Sequence, residues 1–151
     1  MGSNTWSPPL FYAGCFVLLW YLVIWITSHL NGWVRLCSIY RAPGAPSGVP
    51  VRLAGARVGH RFSGYYRNVL TLWVNEQGVQ LRVLFLFRFN TPDLFFAWSE
   101  ITVGRGRHLF ADYVELRFQR APDIPLRIYG PVAEQVRAAA GPHWPEDIAR
   151  S

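Results

Sequence analysis

From Leu10 to Leu30 the chain runs 21 residues, LFYAGCFVLLWYLVIWITSHL, without one Asp, Glu, Lys or Arg. Apolar side chains fall on every face of a helix drawn through it. At about 1.5 Å per residue such a helix is roughly 31 Å long, which matches a hydrocarbon core of about 30 Å. The pattern therefore predicts a transmembrane helix rather than the one-sided helix of a soluble core. Pro8 and Pro9 suit its first turn, and Asn31-Gly32 suits its end. A cleaved signal peptide is not expected, because residues 1–9 carry no basic side chain and no small-residue cleavage pattern follows.

After this run the period changes twice. Trp33, Leu36, Cys37 and Tyr40 recur at helical spacing and predict a short juxtamembrane helix. Residues 42–50, APGAPSGVP, then break all periodicity with three prolines and two glycines and read as a linker. From Val51 the alternation is that of strands. The clearest hairpin is 68–89: Asn68–Val74, a turn at 75–78 with Gly78 available for positive φ, then Val79–Phe89. Further strands are expected at Leu94–Trp98, Asp112–Gln119 and Pro125–Tyr129. Weaker strand patterning covers 51–66, turns fall at 90–93 and 121–123, and a loop or bulge at Gly104-Arg105-Gly106-Arg107. Pro131 opens a last helix to about Ala140, with Val132 and Val136 on its apolar face and Gly141-Pro142 as its stop. Trp144 in the tail is placed to fold back.

The expected fold class is α+β. A transmembrane helix (anchor, 1–31) and a juxtamembrane helix with linker (32–50) precede a small antiparallel β-barrel or sandwich with a C-terminal capping helix (51–141). A tail (142–151) follows. About 120 residues after the first helix suffice for one core.

Charge adds an orientation. All 15 basic residues are Arg, the net charge is +6, and Arg35, Arg41 and Arg52 follow the apolar run while none precedes it. The positive-inside rule then puts the C-terminal part in the cytoplasm at a cell membrane. Trp6, Trp33, Arg35 and Arg41 are expected at the membrane interface, and His29 as a further interfacial side chain. The positive charge reads either as contact with an anionic leaflet or as topology signal plus ordinary surface. Nucleic acid is not expected, since the arginines are scattered and no recognition motif is present. Cys15 and Cys37 form no C-x-x-C, so neither a disulfide nor a zinc site is expected.

Catalytic patterns are missing: there is no H-x-x-x-H, H-E-x-x-H, G-K-[ST] or G-x-S-x-G. His60, His108 and His143 each lack a spaced second ligand. His108 with Asp112 and Glu115 is the nearest approach to a cluster, but on a strand Asp112 and Glu115 point to opposite faces. No enzyme, metal or cofactor is expected. Arg105, Arg107 and His108 in the Gly-Arg stretch are the candidate binding residues for an anionic ligand, through guanidinium forks and backbone N–H groups.

The order of elements resembles the pleckstrin-homology-like superfold, including its GRAM-like and bacterial forms. The likeness is carried by the hairpin 68–89, by Phe96-Ala97-Trp98-Ser99-Glu100-Ile101, and by the strand and helix that end at 131–140. The whole chain also resembles small uncharacterised bacterial single-pass membrane proteins. Their G-W-x-x-L-x-x-x-Y stretch would be Gly32–Tyr40, their N-x-L-T Asn68–Thr71, and their L-F-R-F-x-x-P Leu86–Pro92. The resemblance implies a generic binding role. It also implies a Lys/Arg cluster in the 75–78 turn for lipid-binding forms, where this chain has Glu76. Two functions are thus expected: a membrane-anchored binding module contacting a partner protein or the anionic leaflet, or an accessory subunit of a membrane complex acting through Trp20, Tyr21 and Trp25 of the first helix.

Overall fold

A computed structural model describes residues 8–30, 32–53, 55–59, 64–84, 92–108 and 110–146. Its first element, α1 (Pro8–Leu30), is the apolar run itself, and among the described residues it is the one helix long and apolar enough to cross a membrane. Its large side chains, including Trp20, Tyr21 and Trp25, are exposed along most of its length.

Helix α2 (Trp33–Ile39) follows after two residues. Gly32 makes the turn with φ +73°, and a side chain there would meet Ile124. The helical stripe seen in the sequence is a core stripe: Trp33, Leu36 and Tyr40 are at most 2% exposed and join the main apolar cluster. Tyr40 packs on Phe96, which stacks on Phe118 with ring centroids 3.8 Å apart. Its hydroxyl accepts from the Arg120 N–H at 3.0 Å. Arg35 reaches Asp123 at 2.6 Å. Trp33, expected at the membrane interface, therefore lies inside the domain.

The segment expected as a free linker is also built in. Phe95 N–H donates to Tyr40 O at 2.7 Å, Ala42 N–H to Asp93 O at 2.8 Å, and the Gln80 amide to Gly44 O at 3.1 Å. Proline and glycine keep it irregular, yet its polar groups find partners on the sheet. The globular unit thus begins at α2 instead of Val51, and α1 is joined to it by two residues.

Among the described residues nine strands form two antiparallel sheets and no closed barrel. One has the order β1 (Val49–Leu53), β4 (Leu70–Val74), β5 (Gly78–Val83), β6 (Leu94–Ala97). The other has the order β3 (Gly64–Tyr66), β2 (Ala56–Val58), β9 (Ala121–Tyr129), β8 (Ala111–Phe118), β7 (Ile101–His108). β1 continues into β2 and β3 into β4, so one long hairpin bends from sheet to sheet. At the corner three steps on one strand (Leu53 to Ala56) face four on the other (Tyr66 to Leu70). Asn68, with φ 56°, absorbs the extra residue. Helix α3 (Pro131–Ala140) closes the space beside β1, β4 and β9 with Val132, Ala133, Val136 and Ala140. Trp144 does fold back, edge-on to Trp98.

Three turn expectations change. Gly78 does not use positive φ; it is needed because a Cβ would run into the Phe96 carbonyl on β6. Gly78→Ala should therefore cost about 2–3 kcal/mol, the penalty of overpacking, read as a lower chemical-unfolding midpoint. The β8–β9 turn falls at 119–120, and 121–123 already belongs to β9. The 104–107 stretch is regular strand, paired with β8 throughout. Its Gly106 is covered by the Tyr113 ring from β8, which supplies the packing that glycine lacks. The continuation of β5 to Phe89 lies outside the described residues.

Candidate functional site

On β8 the inward positions are Leu116 and Phe118, so Glu115 and Arg117 should stand in solvent on the other face. Glu115 instead is only 3% exposed. The register explains this. Glu115 sits directly opposite Arg127 of β9, and Arg127 sits directly opposite Arg57 of β2. Two positions along β8, Arg117 leans back over the same carboxylate. Arg117 Nε donates to Glu115 Oε1 at 2.5 Å and Arg127 Nε donates to Glu115 Oε2 at 2.7 Å. Burial alone would push the Glu115 carboxyl up, but the hydrogen bonds and charges of Arg127 and Arg117 outweigh it and hold it below the ordinary glutamate range.

Both arginines are held through Nε. Their terminal amino groups make no other hydrogen bond among the described residues. Arg127 lies over the Tyr113 ring, 5.4 Å from its centroid, and Tyr113 faces Tyr129 across the strands. Three arginines thus stand against one glutamate on this open face. Like charges directly opposite on neighbouring strands, as Arg57 and Arg127 are, destabilise a sheet unless an anion relieves them.

Beside this group is a notch of about 130 Å³, lined by Thr102, Gly104, Tyr113, Glu115 and Arg117 among others. Gly104 faces Glu115 across the β7–β8 pair. A Cβ at Gly104 would stand in open space.

Of the sequence candidates, Arg105 also borders this notch; the others lie elsewhere. Arg105 and Arg107 are exposed and fall on the opposite face of β7 from Gly104. Arg107 lies 3.4 Å from Asp112, both well exposed. Arg105 borders a second hollow of about 430 Å³ that also contains Asp112 and Glu134, which offset its charge. The backbone N–H groups of this stretch belong to a strand, so it forms no phosphate-cradling loop. His108 ends β7, and its side chain is outside the described residues, as are His60 and Trp6. Asp112 is exposed while Glu115 is buried on the other face, so they do not meet. Arg35 is paired with Asp123, and Arg41 is exposed and bridges to Leu94. Among the described residues no group of three His, Cys, Asp or Glu gathers to hold a metal. Cys37 is half-buried, and burial pushes its thiol up to about 11, so it stays protonated at neutral pH.

Glu115, Arg117, Arg127 and Arg57 escaped sequence reasoning. Alternation marked Glu115 as outward, and nothing in the chain from 115 to 127 announces that a bulge brings these two side by side. No family model, no curated protein and no solved structure matches this chain.

Proposed function

We propose that the protein is a single-pass, membrane-anchored binding module without catalytic activity, and that its globular part is a cytoplasmic domain of pleckstrin-homology-like type. The observation that carries the binding role is the arginine pair held by buried Glu115 on an open sheet face. A carboxylate that fixes each guanidinium through Nε leaves the terminal nitrogens of each without a hydrogen bond among the described residues, and those of half-exposed Arg117 are suited to an anionic group. The apolar helix α1 supports the anchor, and Arg35 and Arg41 behind it support the cytoplasmic side. The bent hairpin, the second sheet and the closing helix support the fold reading.

α2 is fastened at the start of β9 through Asp123 and Ile124. β7 runs from that end to the opposite one, because its start pairs with the end of β8. Arg105 and Arg107 therefore lie toward the end remote from α2, and Arg117, opposite Thr102, lies toward the near end.

The test uses the full chain in nanodiscs of neutral lipid. Inorganic phosphate should raise the unfolding temperature of the domain by preferential binding to the folded state. Chloride at equal ionic strength should not. Arg117→Ala should abolish the phosphate effect while leaving the basal unfolding temperature within a few degrees. Equal responses to phosphate and chloride would sink the anion-binding role.

A further inference from the structure

Each sheet in this fold ends in two edge strands, and an exposed edge is a row of backbone N–H and C=O groups without partners. Three of the four edges are blunted. β6 is flanked by residues 40–42, which bond to it through Tyr40 O and Arg41. β1 carries Pro50, which has no N–H to offer. β3 is three residues long. β7 is different: eight residues, no proline, paired regularly from Ile101 to His108 on one side with β8. Among the described residues nothing is paired on its other side.

β7 also contains a glycine with no structural reason. Gly106 yields to Tyr113, but Gly104 has an ordinary negative φ and nothing near its missing side chain. Glycine weakens a strand, and inside one it marks a place where a ligand or another chain comes close. What lies beyond Gly104 is the notch, and across the notch is Arg117, 54% exposed, with its terminal nitrogens unused among the described residues. The glycine leaves a lane from the open edge to the arginine.

We propose that β7 is the docking edge for an extended acidic segment of a protein partner, which adds to the five-stranded sheet as a sixth strand and sends a carboxylate over Gly104 to Arg117. This deepens the binding role proposed above and rests on it. An added strand would lie about 4.8 Å from β7 and roughly 9.6 Å from β8, a gap that a glutamate and an arginine reaching toward each other span. Charge decides the occupant. The notch is lined by Arg105 and Arg117 against Glu115, and Arg127 holds the other oxygen of that carboxylate, so an acidic segment is the complement. A second copy of the chain fits less well: antiparallel pairing of β7 with itself about Gly106 sets Arg105 opposite Arg107. A lipid headgroup supplies charge but no backbone to satisfy the edge.

The experiment uses the full chain in neutral-lipid nanodiscs and a fluorescein-labelled peptide, Thr-Val-Glu-Val-Glu-Val-Thr, read by anisotropy. Binding should weaken at least tenfold when glutamine replaces both glutamates. It should weaken equally when alternate peptide amides are N-methylated, which keeps the charge and removes strand pairing. Gly104→Val, a strand-compatible change checked by its unfolding temperature, should close the lane and give the same loss. If the N-methylated peptide binds as well as the parent, or no peptide binds while phosphate still stabilises the domain, edge docking is overturned and the anion-binding role survives. If neither peptide nor phosphate acts, both fall. A chain that dimerises through β7 without peptide, or that binds anionic vesicles more tightly than peptide, assigns the surface to another occupant and overturns the proposal.

Discussion

Glu115→Ala is expected to lower the stability of the domain by about 3 kcal/mol, the scale for removing one partner of a buried ion pair and leaving the other uncompensated. In a domain of this size that is a fall of roughly 10 °C in unfolding temperature. The size of the effect comes from what remains. Arg127 has a side chain only 18% exposed, and it would keep Arg57 opposite with no carboxylate between its neighbours. The reciprocal change is mild. Arg117→Ala removes a half-exposed partner and leaves Glu115 and Arg127 as a balanced pair, a loss of about 1 kcal/mol or less. A carboxylate placed merely for solubility would leave both changes near zero. Chemical unfolding of the two variants beside the parent separates these cases.

The same carboxylate sets a dependence on acid. Its folded pKa is lowered, so the unfolded chain takes up the proton first as pH falls. The stability it contributes is fully present above the ordinary glutamate value of about 4.3 and drains away as pH falls through the depressed folded value. Unfolding followed between pH 6 and 3 should show an acid-side loss in the parent that is smaller in Glu115→Gln, which keeps the shape and cannot titrate.

The parts of this fold that depend on one local signal were legible from sequence. The run at 10–30 needs only length and the absence of charge. α3 needs only Pro131, the spacing of Val132 and Val136, and Gly141. The β4–β5 hairpin needs alternation and a turn, although the reason for Gly78 is a carbonyl on β6 that no local pattern contains. The parts that depend on two distant segments were not. Residues 42–50 encode irregular backbone, but whether irregular chain is free or tied depends on Asp93 and Gln80. Gly104-Arg105-Gly106-Arg107 looks like a loop because glycine disfavours strands, and Tyr113 overrides that from β8. The arginine site is the extreme case. Between Phe118 and Leu116 β8 takes two steps, while β9 takes five from Ala121 to Leu126. That bulge sends Asp123 to Arg35 and Ile124 to Gly32, then restores the register that sets Arg127 beside Glu115. One irregularity thus serves both the joint to α1 and the arginine face.

That joint supplies the second large expectation, Trp33→Ala. At a membrane interface the indole would contribute little to the unfolding of the domain. Here it is 2% exposed and sits with Leu36 and Tyr40 in the main core, so its removal should cost about 3–5 kcal/mol, the range for a buried aromatic replaced by alanine. A domain of this length has about 5–15 kcal/mol in all, so the variant should be partly unfolded near body temperature and open to protease within β1–β9. Val34→Ala, one residue on and 42% exposed, is the control: equally close to the anchor, it should change the unfolding midpoint by less than about 0.5 kcal/mol. Equal, small effects at both positions would return α2 to the interface and make the domain a tethered body. A large effect at Trp33 alone means that α2 belongs to the core, so a load or a tilt on α1, two residues before it, is felt at β9 through Asp123 and Ile124.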